Sequence, residues 1–163
     1  MHGLRPVTFH RWVLSLLLAL VALGASAGPV EPGQALPVPN IKDQHDQPWR
    51  IAPDTKLVLF AAGRKASNLV LAVLAPQPKG FLAGRRAAYL ADMSKMPAFI
   101  TRTFAMPSLR EQAFEVGVSL EEQTLAGWPR QDDAVTLIHL DQGRVVSHEY
   151  ASTEAQLKAA LGL

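Results

Sequence analysis

Three methionines, Met93, Met96 and Met106, lie close together and begin with M-x-x-M spacing. Thioethers are soft ligands suited to cuprous ion, so the trio has the chemistry of a copper carrier. The same side chains also fill irregular gaps in a core. Met96 recurs with Phe99, Ile100 and Phe104 along one face of a predicted helix, so packing is the expected role. His45, between Asp43 and Asp46 in KDQHDQ, offers ligands for a hard or borderline metal, but a cluster this short reads as a solvated turn unless further ligands converge. His139 and His148 fall on the two arms of a predicted hairpin, where a diagonal structural pair is expected. No metal and no cofactor is assigned to any of these groups.

Acid–base catalysis needs carboxylates held in a pocket with separated pKa values. Glu121-Glu122 and Asp132-Asp133 are adjacent pairs in polar surroundings and read as surface. Ser67 follows a predicted central strand, as a nucleophile does in many α/β enzymes. It has no identifiable base, and the chain contains no G-x-S-x-G and no glycine-rich phosphate loop. Cysteine is absent, which excludes thiol-disulfide exchange, thiol peroxidase chemistry and thiolate metal binding. What remains is Gly63-Arg64-Lys65 at the C-terminal end of the central strand, where α/β sheets bind ligands and a helix start attracts anions. Gly63, Arg64, Lys65, Ser67 and Asn68 form the candidate ligand-binding surface; no catalytic residue is assigned.

These residues need a scaffold, and hydropathy patterning supplies one. Lys56 to Ala61 is a compact apolar run of strand length, unbroken enough for burial on both faces. Ser67 or Asn68 then caps a helix over 69–75 that Pro76 terminates, and 76–84 is a loop. Arg86 to Ala91 is a second strand. Ser94 and Pro97 open a helix ending by Met106-Pro107, Phe114 to Leu120 alternates as a half-exposed strand, and 121–128 is a short helix or turn. Ala134 to Leu140 and Val145 to Tyr150 form a hairpin around Gly143, followed by a helix capped by Ser152. The order predicts a three-layer α/β sandwich with a mixed central sheet and a C-terminal hairpin plus helix.

Ahead of this unit lie two non-core segments. Residues 1–27 have a basic start, an apolar run from Trp12 to Leu23 and a small-x-small site at Ala25-Ser26-Ala27, which is the pattern of a cleavable signal peptide and implies export to a periplasm. A run of twelve residues, apolar apart from Ser15, is too short for a comfortable membrane span, so the domain is assigned to 28–163. Its first part, 28–49, is a proline-rich extended segment with a loose hairpin ending at Trp49-Arg50-Ile51. Arg5 and Arg11 leave with the leader, so 14 basic residues then face 14 acidic ones. A balanced, interleaved charge gives no nucleic-acid partner and, after leader cleavage, no membrane partner.

The order and spacing of these elements over 33–163 resemble a thioredoxin-like domain of the periplasmic thiol-disulfide or peroxiredoxin-related kind. Gly33 to Asp43 resembles the opening segment of such proteins, Leu57 to Ala62 the strand before their active site, Phe114 to Leu120 a strand in their common insertion, and Val135 to Val146 their last two strands. The resemblance places a C-x-x-C near Lys65 and Asn68 and a cis-proline at Ala134 or Val135; this chain has neither, and Pro129 lies too far upstream. A cysteine-free likeness is the YtfJ-type family of small exported proteins, similar in the leader, in G-x-x-x-P at Gly33 to Pro37, in Ala62-Gly63-Arg64 and in the Ala-Val start of the hairpin. What this implies is a non-redox periplasmic module that binds an envelope protein or a small ligand. A copper carrier or a non-thiol enzyme is the alternative.

Overall fold

The computed structural model describes residues 29–163. The proposed leader lies outside the described residues. Six strands form one mixed sheet: β1 (Lys42–Asp43), β2 (Leu57–Ala62), β3 (Ala87–Asp92), β4 (Gly117–Ser119), β5 (Val135–Asp141) and β6 (Arg144–Ala151), in spatial order β1-β4-β3-β2-β5-β6. β2, β3 and β4 run parallel, so their C-terminal ends share one edge; β5 lies antiparallel to β2 on its other side. The unbroken apolar run of β2 is explained by this position, since Val58, Leu59, Phe60 and Ala61 are fully buried between two neighbouring strands and two covering layers.

The strands' alternation divides the core. Leu57, Leu59 and Ala61 of β2, with Tyr89 of β3 and Leu137 of β5, face the helices α1 (Arg64–Leu74), α2 (Phe81–Gly84), α4 (Met106–Arg110) and α5 (Glu154–Leu161). Val58, Phe60, Leu90 and Ile138 face the other way. There the cover is Val30, Leu36 and Trp49 of the proline-rich segment, with Leu125 and Trp128 of a 3₁₀ turn at Glu122–Leu125 and the loop after it. The long helices thus occupy one layer, and extended chain with a short turn makes the third. Gly33 and Leu36 anchor that chain by donating backbone hydrogen bonds to Val145 and Gly143.

Several elements differ from the sequence expectation. The first helix begins at Arg64 rather than after Ser67 or Asn68, because its N-cap is Gly63, held at φ 108° and bonding through no side chain. Only glycine enters a helix comfortably from that conformation, and it leaves no capping side chain to read. The expected loop 76–84 contains α2, entered through Gly80 at φ 83°. β4 is shorter than the stretch 114–120 and buried rather than half-exposed, because Trp49 lies flat against it: a Cβ on Gly117 would come within 2.5 Å of the indole. Thr153, not Ser152, caps α5 in a reciprocal box with Gln156. The hairpin turns at Gln142 and Gly143, both at positive φ as a type I′ turn needs.

The third helical segment differs most. It begins at α3 (Ala98–Ile100), entered from Pro97, while the Ser94 hydroxyl bonds Asp92 instead of capping. It passes through a π turn (Thr101–Ala105), and continues beyond Pro107 as α4. A proline inside a helix removes one N–H and crowds the preceding turn. The wider turn accommodates it: Met106 N–H reaches back to the Thr101 carbonyl, an i→i+5 bond, and the helix survives where the sequence predicts its end.

Candidate functional site

The shared C-terminal edge of β2, β3 and β4 is where the candidate residues gather. Ala62 pairs with Asp92, and Asp92 with Ser119, so the last residues of all three strands stand side by side. Gly63 turns the chain off β2 into α1, and Arg64, Lys65 and Asn68 are exposed on its first turns. No acidic side chain sits in that first turn, so two cations face the positive end of the helix dipole. Lys65 is matched from outside: its ammonium donates to Asp133 at 2.8 Å, and that carboxylate raises the Lys65 pKa through the hydrogen bond first and its charge second. Both partners are largely in water, so the pair positions the loop before β5 more than it stabilises the fold.

Ser67 is not on this surface. It is half-buried and bonded to the phenol of Tyr89, whose complete burial pushes its pKa up to about 12 against the opposing pull of that hydroxyl. The helix starts one turn earlier than expected, and this rotates Ser67 inward. The surface is therefore Gly63, Arg64, Lys65 and Asn68, bordered by Asp133.

At the same C-terminal edge, on the face of the sheet opposite α1, lies a polar cluster that the sequence reading missed. Asp92 is buried at the end of β3; its Oδ2 accepts from Arg130 at 2.9 Å, and its Oδ1 accepts from the Ser94 amide at 3.0 Å and hydroxyl at 2.6 Å. Arg130 also donates to the Leu125 carbonyl at 2.6 Å and lies over the Phe60 ring, 5.4 Å from its centroid. Phe60 in turn meets Trp128 edge-to-face at 5.2 Å. Nearby, Thr136 donates to the Pro129 carbonyl at 2.8 Å. One ion pair thus ties β3, the 3₁₀ turn and the segment before β5 together. The available signal was an acid closing an otherwise apolar strand, but its partner lies 38 residues away.

The other sequence candidates do not converge. Met93 is in the core, and Met96 and Met106 pack against the same cluster, which occupies all three thioethers with hydrophobic contacts. Asp43 Oδ1 accepts from the amides of His45 and Gln47, and Asp46 bonds Arg110, so KDQHDQ is a self-capped turn. The diagonal histidine pair does not form. His139 pairs across the hairpin with Ser147, and His148 with Ile138, which puts the rings on opposite faces; His139 meets Glu149 instead, and His148 packs against Tyr150. Among the described residues no three His, Asp or Glu side chains cluster as a metal site.

A depression of about 360 Å³ opens at the opposite end of β2, lined by Lys56, Arg85, His139 and the end of α5. Lys56 and His139 are already matched by Asp141 and Glu149. The exposed edge at Arg64 and Asn68 differs in that neither side chain forms a hydrogen bond among the described residues.

No family model matches the chain. No curated protein matches it either. Among solved structures, it is similar to the solution structure of a "putative protein disulfide isomerase" from Bacteroides thetaiotaomicron, with a TM-score of 0.51 and 14% identity over 84% of this chain and 90% of that one. At that identity the likeness is one of fold. The protein has a thioredoxin-like α/β fold built around a mixed six-stranded sheet and, lacking cysteine, is not a thiol redox enzyme.

Proposed function

We propose that the protein is an exported, non-redox binding module that uses the edge of the sheet at Gly63, Arg64, Lys65 and Asn68 to hold an envelope protein or a small ligand. The observation that carries this reading is the exposed start of α1. Its Arg64 and Asn68 are free to bond outward, and the strand ends beside them are held by the Asp92–Arg130 ion pair on the opposite face of the sheet. Free polar groups on a helix whose inner face, Ala66 and Val70, is locked in the core are what a recognition surface needs. Periplasmic location and kinship with the YtfJ-type family belong to the same reading, supported by the leader pattern and by Ala62-Gly63-Arg64 at the end of β2. The copper-carrier alternative loses support because its thioethers pack against the core.

Recovery of bound protein or ligand with the tagged chain, taken gently from its own envelope fraction, tests the reading. Arg64→Ala is expected to reduce recovery severalfold at unchanged thermal stability, because Arg64 is exposed. Equal recovery with the two chains would refute the assignment.

A further inference from the structure

The helical segment between β3 and β4 carries apolar side chains on its outside. Phe99 is 68% exposed, Phe104 59% and Ile100 39%, whereas Thr101 and Leu109 are buried and Ala105 and Met106 pack against the core. The sequence pattern places Met96, Phe99, Ile100 and Phe104 on one inward face; the π turn divides that set. An i→i+5 turn brings residues five apart nearly into line, so Phe104 comes beside Phe99, with ring centroids 6.2 Å apart at 82°. The result is a two-ring apolar projection, on a convex helix rather than in a groove.

The charge on the segment itself is one-sided. From Met93 to Arg110 there are three basic residues, Lys95, Arg102 and Arg110, and no acid. Arg110 is engaged with Asp46 and the Gln44 carbonyl, while Lys95 and Arg102 are exposed. A chain that is neutral overall from residue 28 onward therefore presents local positive charge beside its most exposed aromatics. Exposed phenylalanines flanked by Lys and Arg on a helix are the chemistry of an interfacial membrane contact, in which rings enter the headgroup boundary and cations meet anionic lipid. A second copy fits less well, because a two-fold contact of this segment with itself would gather four cations, Lys95 and Arg102 of each copy, with no acid of the segment to match them.

We propose that Phe99, Ile100 and Phe104, with Lys95 and Arg102, form a peripheral docking face for an anionic bilayer surface. The proposal departs from the sequence expectation of no membrane contact, which rested on overall charge balance. It is independent of the surface at Arg64.

The absence of cysteine allows a direct test. In the full chain, Thr103→Cys carries an environment-sensitive fluorophore on the docking face, and Ser147→Cys carries it on β6 at the far edge of the sheet. The probe at position 103 should shift to the blue with vesicles of phosphatidylcholine and phosphatidylglycerol in equal parts, and much less with phosphatidylcholine alone. The probe at 147 should not respond. Phe99→Ser with Phe104→Ser should weaken the response at 103 by about tenfold or more in apparent affinity, and Arg102→Glu by about tenfold. Because each variant keeps the first 28 residues, any binding through them stays constant across the series. No shift at 103, an equal shift with neutral vesicles, or a shift untouched by the substitutions would overturn the proposal. So would a shift that needs only more protein, which identifies a second copy, or one produced by acidic envelope proteins and not by vesicles.

Discussion

Two aromatic pairs in this protein have similar geometry and opposite surroundings. Phe60 and Trp128 meet edge-to-face under the Arg130 guanidinium, with Asp92 beside it and no exposure to water. Phe99 and Phe104 also meet edge-to-face, but nothing covers them. Edge-to-face contact adds only about 0.5–1.5 kcal/mol to either pair, so the contact itself does not distinguish them. The covering layer does. The first pair has its apolar area buried within the core, and the second offers apolar area to something outside the chain.

The comparison breaks most readily at its buried half. Phe60→Ala should cost about 3–5 kcal/mol, seen as a lowered denaturation midpoint, because the ring is lost from a core position with no room to collapse and Arg130 loses its platform. A loss below about 1 kcal/mol would show that the buried pair does not hold the core as described. Arg130→Ala should cost less, about 2–3 kcal/mol, since it strands the Asp92 carboxylate while a third of the arginine side chain was already in water. Arg130→Lys should recover part of this, as it restores charge but not both directed bonds. The smallest effect belongs to the exposed half. Phe99→Ser together with Phe104→Ser should cost no more than the worth of their own contact, about 1.5 kcal/mol, by thermal denaturation, and a loss comparable to Phe60→Ala would erase the distinction.

How far these regions could be read in the sequence depends on the range of the forces that shape them. β2 was legible because a central strand imposes burial on every residue, and Leu57 to Ala61 is apolar without a break. The β5–β6 hairpin was legible because positive φ at Gly143 leaves a local mark. The start of α1 was not, since Gly63 caps through backbone conformation alone and Ser67 and Asn68 mimic caps from inside the helix. The inward-facing aromatics were predicted from period 3.6, which reports that a helix has an apolar stripe but not where a π turn will shift it. Asp92 and Arg130 each look like ordinary loop-edge charges; only the fold brings them together. For the candidate surface, the exposure of Gly63, Arg64, Lys65 and Asn68 was readable from their place after the central strand, and the ion pair at the same edge on the opposite face of the sheet was not.

The central claim is that the start of α1 meets a binding partner without thiol chemistry, and site-specific photocrosslinking in the intact envelope tests it most directly. A photoreactive residue at Asn68 should give a discrete adduct that Arg64→Ala diminishes, while the same residue at Ser147, on the far edge of the sheet, gives none. Adducts of equal yield from both positions, or none from position 68, would contradict the account.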